Sequence, residues 1–128
     1  MKRLFVIVVL ALPAFAAEPK CKENPKVVAV CYSIHGRLEF GADTVRYYLW
    51  PVGTKRMLGV TAGPRLDDAD DPILPSNLKP WFGSDVEAVY GEFEVCPFTP
   101  ERKGAMQLVC VESAKKLVFK RWPSSTKQ

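Results

Sequence analysis

The chain has 128 residues, 48% of them hydrophobic, and a formal net charge of +4 at neutral pH. Two of the positive charges, Lys2 and Arg3, lie in the N-terminal segment treated next, and without them the formal charge falls to +2. The roughly 110 residues that follow this segment suit one domain with a modest core and exclude two domains. Nucleic acid is not an expected partner, because its binding would need a clustered basic footprint.

Residues 1–16 have the organisation of a secretory signal peptide. A basic start is followed by the apolar run Leu4–Leu12, which is too short to span a bilayer, and then by Ala14-Phe15-Ala16, a small-x-small cleavage pattern. Glu18-Pro19-Lys20 precedes the first cysteine, where lipid attachment would need a small-residue motif. The pattern predicts an exported protein, periplasmic or extracellular, with no membrane span after cleavage, and a single domain over residues 17–122.

Residues 27–40 are predicted to form a long strand centred on Gly36, and residues 86–95 repeat its pattern around Gly91. Both segments alternate apolar and polar residues with period two, which is typical of a strand with one buried face. Each glycine falls on the apolar side. A glycine in that position indicates a bend or a close backbone approach inside a curled sheet.

Two further strands, 45–50 and 55–60, complete a predicted three-stranded meander, because turn-forming residues separate them. The turn at 41–44 predicts one hairpin register and the turn at 51–54 predicts the next. Both registers bury the same face, which supports the meander. The expected pairs are Phe40 with Val45, Leu38 with Tyr47, Gly36 with Leu49, Glu39 with Arg46, Leu49 with Arg56, Tyr47 with Leu58 and Val45 with Val60.

Residues 61–76 are rich in Gly, Pro and Asp and form a predicted linker. The acidic run Asp67–Asp71 lacks the ligand spacing and turn glycine of a calcium loop, so a solvated loop is expected. Ser76 is placed to cap a short helix over residues 77–82, with Trp81-Phe82 closing one end of the core. The last strands are predicted at 107–112 and 116–122, with a bend at 113–115 and a disordered tail at 123–128.

Four cysteines, Cys21, Cys31, Cys96 and Cys110, follow the signal segment, and an exported domain of this size with an even count is expected to be disulfide-bonded. Zinc is disfavoured because no pair has the close spacing of structural zinc sites. Pairing the two glycine-centred strands antiparallel, with Gly36 opposite Gly91, places Cys31 opposite Cys96 on the outward face.

A hairpin that turns at residues 101–105 instead places Cys96 opposite Cys110, so three cysteines compete in one row. Two pairings therefore stay open. One joins Cys31 to Cys96 and Cys21 to Cys110, and the other joins Cys21 to Cys31 and Cys96 to Cys110.

The predicted order is a three-stranded meander, a linker with a short helix, and further strands that pair back onto the first. This order resembles the five-stranded oligonucleotide/oligosaccharide-binding (OB) barrel, in which a helix lies between strands three and four and strand one pairs with strand four. The resemblance implies a mainly β fold, a small antiparallel barrel of five or six strands. A small β-sandwich is the alternative architecture, because alternating strands do not distinguish a closed sheet from an open one.

Six aromatic, cationic or sulfur-bearing residues share the predicted outer face, where they would stack on a sugar or pair with an anionic group. They are His35, Arg37, Tyr48, Trp50, Lys55 and Met57. The expected function is a non-enzymatic binding module for a saccharide, peptide or envelope protein. No cofactor or metal is expected.

A small hydrolase that uses His35 is the alternative function. His35 is the only histidine in the chain and is predicted to lie opposite Trp50. A general base needs a nucleophile or an orienting carboxylate within reach, and the sequence indicates neither. Enzymatic activity is therefore the less favoured expectation.

Overall fold

The structure, a computed structural model, describes residues 3–9, 21–41, 45–81 and 85–123. Within these residues the protein is mainly β, with five strands and two short 3-10 helices, Leu66–Ala69 and Ser76–Trp81. The strands are β1 (Tyr32–Phe40), β2 (Tyr47–Pro51), β3 (Leu58–Val60), β4 (Val86–Pro97) and β5 (Gln107–Arg121).

The five strands form one sheet with the neighbour order β1-β2-β3-β5-β4. Antiparallel pairing of β4 with β1 closes this order into a ring, so each strand has two neighbours. The β3 and β5 strands pair in parallel, with Leu58 beside Gln107. All other neighbours are antiparallel.

The meander is present, but its predicted registers are wrong by two residues. Phe40 pairs with Tyr47 rather than Val45, and Leu38 pairs with Leu49. In the second hairpin Tyr47 pairs with Val60 instead of Leu58. A shift of two preserves the side of the sheet on which each residue lies, so the predicted buried face is still correct.

Strand boundaries also differ from the sequence-based expectation. Residues 27–31 precede β1 rather than belonging to it, and β3 is confined to three residues because residues 52–57 form a longer loop. The two predicted C-terminal strands are one, β5, in which Lys116 has a positive φ of 53°. The pairing of β4 with β5 has a β-bulge near Lys116, in place of the bend predicted at residues 113–115. A bulge turns a strand without ending it, so β5 continues as one strand.

The pairing of Gly36 with Gly91 is confirmed, and the structure shows why both positions are glycine. A Cβ on Gly36 would lie 2.8 Å from Cδ1 of Leu49, and one on Gly91 would lie 2.8 Å from Cδ2 of Leu117. Side chains from neighbouring strands therefore occupy the space beside both glycines. A larger residue would push these strands apart.

The inner face of the sheet holds the main core. Leu38, Leu49 and Leu58 have at most 1% of their surface exposed, as the predicted buried face requires. Trp81, from the second 3-10 helix, is completely buried and its ring lies 4.8 Å from that of Phe40. The helix therefore closes one end of the core with Trp81, while Phe82 lies outside the described residues.

A second apolar cluster lies on the outer side of the sheet and contains both disulfide bonds. Cys31 is bonded to Cys96, and Cys21 to Cys110, which is the first of the two predicted pairings. Cys96 and Cys110 still pair in register across β4 and β5. Cys96 points outward as predicted but is fully buried, because other parts of the chain cover it.

The linker after β3 provides much of that cover. Ala69 and Ile73 pack in the outer cluster, and the carbonyl oxygen of Ile73 accepts a backbone hydrogen bond from Val111.

The first 3-10 helix, which carries Ala69, is capped at its start. The Asp68 carboxylate accepts a hydrogen bond from the Arg65 N–H at 3.1 Å.

Residues 3–9 are exposed and have no regular secondary structure. The predicted cleavage pattern at 14–16 and residues 124–128 of the predicted tail at 123–128 lie outside the described residues. Among the residues that are described, no helix has the length and apolar character needed to cross a membrane.

Candidate functional site

Four of the six residues predicted on the outer face line one shallow cavity of about 250 Å³. They are Arg37, Trp50, Lys55 and Met57. The β1 and β2 strands supply the first two, which pair directly across the sheet, and the loop between β2 and β3 supplies the others. Glu39, Thr54 and Arg56 complete the wall. We call this the Trp50 cavity.

The indole of Trp50 is held by its own loop. Its Nε1–H donates a hydrogen bond to the carbonyl oxygen of Thr54 at 2.8 Å, and the Thr54 hydroxyl donates to the carbonyl of Pro51 at 2.7 Å. The ring is half-buried. Because its polar atom is already bonded within the protein, the exposed part of Trp50 offers an apolar surface of fixed orientation.

Arg37 is strongly engaged with groups of the protein itself. Its guanidinium lies 3.2 Å from a carboxylate oxygen of Glu39 and 3.4 Å from one of Glu87, and it stands 5.6 Å from the ring centre of Tyr90. Two carboxylates therefore compensate its charge. We expect Arg37 to shape the cavity rather than to supply a free positive charge to a ligand.

The structure separates His35 and Tyr48 from the other four. Arg37 lies opposite Trp50, so the predicted pair of His35 with Trp50 is wrong. The cause is the two-residue shift in the register of the first hairpin. The His35 Nδ1 lies 2.8 Å from a carboxylate oxygen of Glu92. Tyr48 packs against the outer apolar cluster, which explains its aromatic side chain by packing alone.

A second cavity of about 510 Å³ adjoins the first, since Lys55, Arg56 and Met57 line both. Its opposite wall is the loop between β4 and β5, with Arg102 and Lys103 at the rim. We call it the two-loop cavity. The parallel pairing of Leu58 with Gln107 creates it, because it sets the residues preceding β3 beside those preceding β5.

Sequence reasoning misses the second cavity, although one of its two loops is predictable. Residues 101–105 are predicted to form a turn, but the two cations of that turn lie far along the chain from Lys55. Only a prediction of parallel β3–β5 pairing would have joined the two loops. Periodicity in a three-residue strand is too short to make that prediction.

A hydrogen-bond network fixes the two loops relative to each other. Oε1 of Gln107 accepts hydrogen bonds from the Tyr32 hydroxyl at 2.7 Å and from Nη2 of Arg56 at 3.1 Å. The other terminal nitrogen of Arg56 lies 3.4 Å from Oε1 of Glu101. Burial raises the pKa of Tyr32, and the nearby Arg56 partly offsets that rise. Tyr32 therefore stays a neutral donor across the ordinary pH range.

A third cavity, of about 450 Å³, continues from the two-loop cavity. Arg102, Ala105 and Met106 line both, and Leu66 and Pro100 give the third cavity a more apolar wall. Each cavity thus shares three lining residues with the next, the first being lined by Trp50 and the last by Leu66. We call the row of three the loop groove.

Metal binding is limited by the disulfides. Among the described residues, one group of potential ligands is close enough to hold an ion, and it consists of Cys21, Cys96 and Cys110. All three sulfur atoms are committed to disulfide bonds.

In comparisons with known proteins, no family model, no curated protein and no solved structure matches this chain.

Proposed function

We propose that this protein is an exported, non-enzymatic binding module with an OB-like barrel. Three features support the fold assignment: the closed order β1-β2-β3-β5-β4, the parallel β3–β5 pair, and the short helices between β3 and β4. Two disulfide bonds are consistent with export, because they persist in oxidising compartments.

One observation carries the functional proposal. Residues from two strands and a loop converge on the Trp50 cavity, which adjoins the two-loop cavity: Arg37, Trp50, Lys55 and Met57. A fixed aromatic surface beside cationic side chains suits a saccharide, a peptide or an envelope protein. Binding sites of this kind are concave, with a few polar groups that orient the ligand.

A hydrolase centred on His35 is less well supported. The Glu92 carboxylate could orient the imidazole, since the two are 2.8 Å apart. Neither residue, however, lines any of the three cavities of the loop groove. General-base catalysis needs a bound substrate within hydrogen-bond reach of the base, and the loop groove does not bring one to this pair.

The test is a binding screen with the disulfide-bonded protein. Wild type, Trp50→Ala and His35→Ala are applied to arrays of saccharides and peptides, and near-UV circular dichroism confirms that each variant is folded. We expect Trp50→Ala to lose at least one interaction that His35→Ala keeps. The proposal fails if the wild type binds nothing on the arrays, or if His35→Ala abolishes hydrolysis of ester or peptide substrates by the wild type.

A further inference from the structure

We propose that the ligand of the loop groove is an acidic sugar chain, whose carboxylate or sulfate groups are bound by Lys55, Arg102 and Lys103. This inference rests on the proposed binding function and specifies its ligand. It follows from where the charge lies, from which cations are free, and from the shape of the groove.

Positive charge is concentrated at the two-loop cavity. Four cations and one carboxylate line it, a formal excess of three positive charges. The whole chain beyond the signal segment carries only +2, so the remaining surface is slightly acidic on balance. Such an uneven distribution attracts anions to one place, and concave walls of low dielectric strengthen the local field.

The four cations differ in how they are held. Arg56 is anchored by Gln107 and by the carboxylate of Glu101, so its position is set before any ligand arrives. Lys55, Arg102 and Lys103 are exposed and form no ion pair with any other described residue. Three uncommitted charges around one anchored guanidinium suit a ligand that carries several acidic groups.

The groove fits a chain rather than a single small anion. Its three cavities adjoin one another, with Trp50 near one end and Leu66 near the other. Met57 and Met106 give the middle an apolar surface between the cations. An acidic saccharide alternates apolar ring faces with anionic groups and therefore matches both features.

A single-stranded nucleic acid is the main competing polyanion, and the groove fits it less well. Proteins that bind single strands without sequence preference stack successive bases on several aromatic side chains. Among the residues that line the three cavities, Trp50 is the only aromatic one. The two disulfide bonds also favour an oxidising compartment over the cytosol or the nucleus.

The experiment measures affinities of the disulfide-bonded protein for five probes by calorimetry at low salt. They are an oligogalacturonate hexamer, a heparin-derived hexasaccharide, neutral maltohexaose, an oligothymidylate and polyglutamate. We expect one or both acidic saccharides to bind at least about tenfold more tightly than each other probe. The tighter of the two identifies carboxylate or sulfate as the preferred acidic group.

Matched variants assign the binding to the groove. Arg102→Gln and Lys103→Gln should each weaken acidic-saccharide binding about two- to fivefold, the range of an exposed ion pair, and the double variant about four- to 25-fold. Lys115→Gln, an exposed cation on β5 outside the described cavities, is the control and should change nothing. Glu101→Gln should strengthen binding about two- to fivefold, because it removes the one carboxylate that lines the two-loop cavity, while Gln107 still holds Arg56. Misfolding would not produce such a gain.

Several results would overturn the inference. These are equal affinity for maltohexaose, tighter binding of oligothymidylate or polyglutamate, no binding of any probe by wild type, or a double variant that matches Lys115→Gln. A neutral saccharide whose binding depends on Trp50 but not on Arg102 and Lys103 would refute the acidic ligand and leave the binding function standing. Acidic-saccharide binding that Trp50→Ala leaves unchanged would also overturn the inference, because the ligand would then not extend along the groove to the Trp50 cavity.

Discussion

Replacing both Cys21 and Cys110 by alanine should cost this protein a large share of its stability. The bridge joins residues 89 positions apart and encloses the Cys31–Cys96 bridge, whose residues are 65 apart. With that inner bridge intact, it restricts a loop of about 24 positions in the unfolded chain, which corresponds to about 3 to 4 kcal/mol. Small domains have a total free energy of unfolding of only about 5 to 15 kcal/mol. We therefore expect a marginally stable variant that is best studied well below physiological temperature.

The bridge between Cys31 and Cys96 provides the comparison. Its residues are 65 positions apart, inside the loop that Cys21–Cys110 already closes. The same argument then gives about 3 kcal/mol, so chain entropy barely separates the two bridges. Packing adds a difference, because Cys21 and Cys110 are both fully buried whereas Cys31 is half-buried. One more buried sulfur, treated like a methylene group, is worth about 0.8 kcal/mol. The Cys21/Cys110 variant should be the less stable.

Urea unfolding followed by tryptophan fluorescence measures both variants, with linear extrapolation to zero denaturant. A loss below about 1 kcal/mol for the Cys21/Cys110 variant would refute the argument, since the loop-closure contribution alone exceeds that value. Peptide mapping of the wild type without reductant is the independent check. A peptide that joins Cys96 to Cys110 would show that the neighbouring cysteines of β4 and β5 are bonded instead.

Two further predictions concern the core and its hydrogen-bond network. Leu38→Ala and Leu58→Ala should each lower the free energy of unfolding by about 2 to 5 kcal/mol. Trp50→Ala should lower it by less than the roughly 3 kcal/mol that truncating a buried aromatic side chain costs. If urea unfolding gives the opposite ranking, the assigned inner and outer faces are reversed. Burial raises the folded-state pKa of Tyr32 above its ordinary value of 10.0. The stability that the neutral Tyr32 hydroxyl contributes is therefore complete below pH 10, and it is lost as pH rises through the folded-state pKa. Tyr32→Phe should lose the hydrogen bond to Gln107 at all pH values and show a shallower alkaline decline in melting temperature, and an identical decline in both proteins would contradict the assignment.

The sequence determined which side of each strand is buried, because side chains alternate with period two and apolar residues follow that period. It likewise determined the pairing of Gly36 with Gly91, since two similar strands align on their only positions without a side chain. The sequence pattern did not determine the hairpin registers. A shift of two residues buries the same face, and such registers differ only in the length of the loop, which tertiary packing sets.

The tertiary structure alone decided the disulfide pairing and the loop groove. Cys96 pairs in register with Cys110 and also faces Cys31, so the sequence left two solutions; the position of Cys21 over the outer cluster selects one. The groove needs the parallel pairing of Leu58 with Gln107, a contact between residues 49 positions apart on one short and one long strand. Sequence patterns indicate interactions between residues that are close along the chain. Lys55 and Lys103 line the same cavity only because β3 pairs with β5 in the sheet.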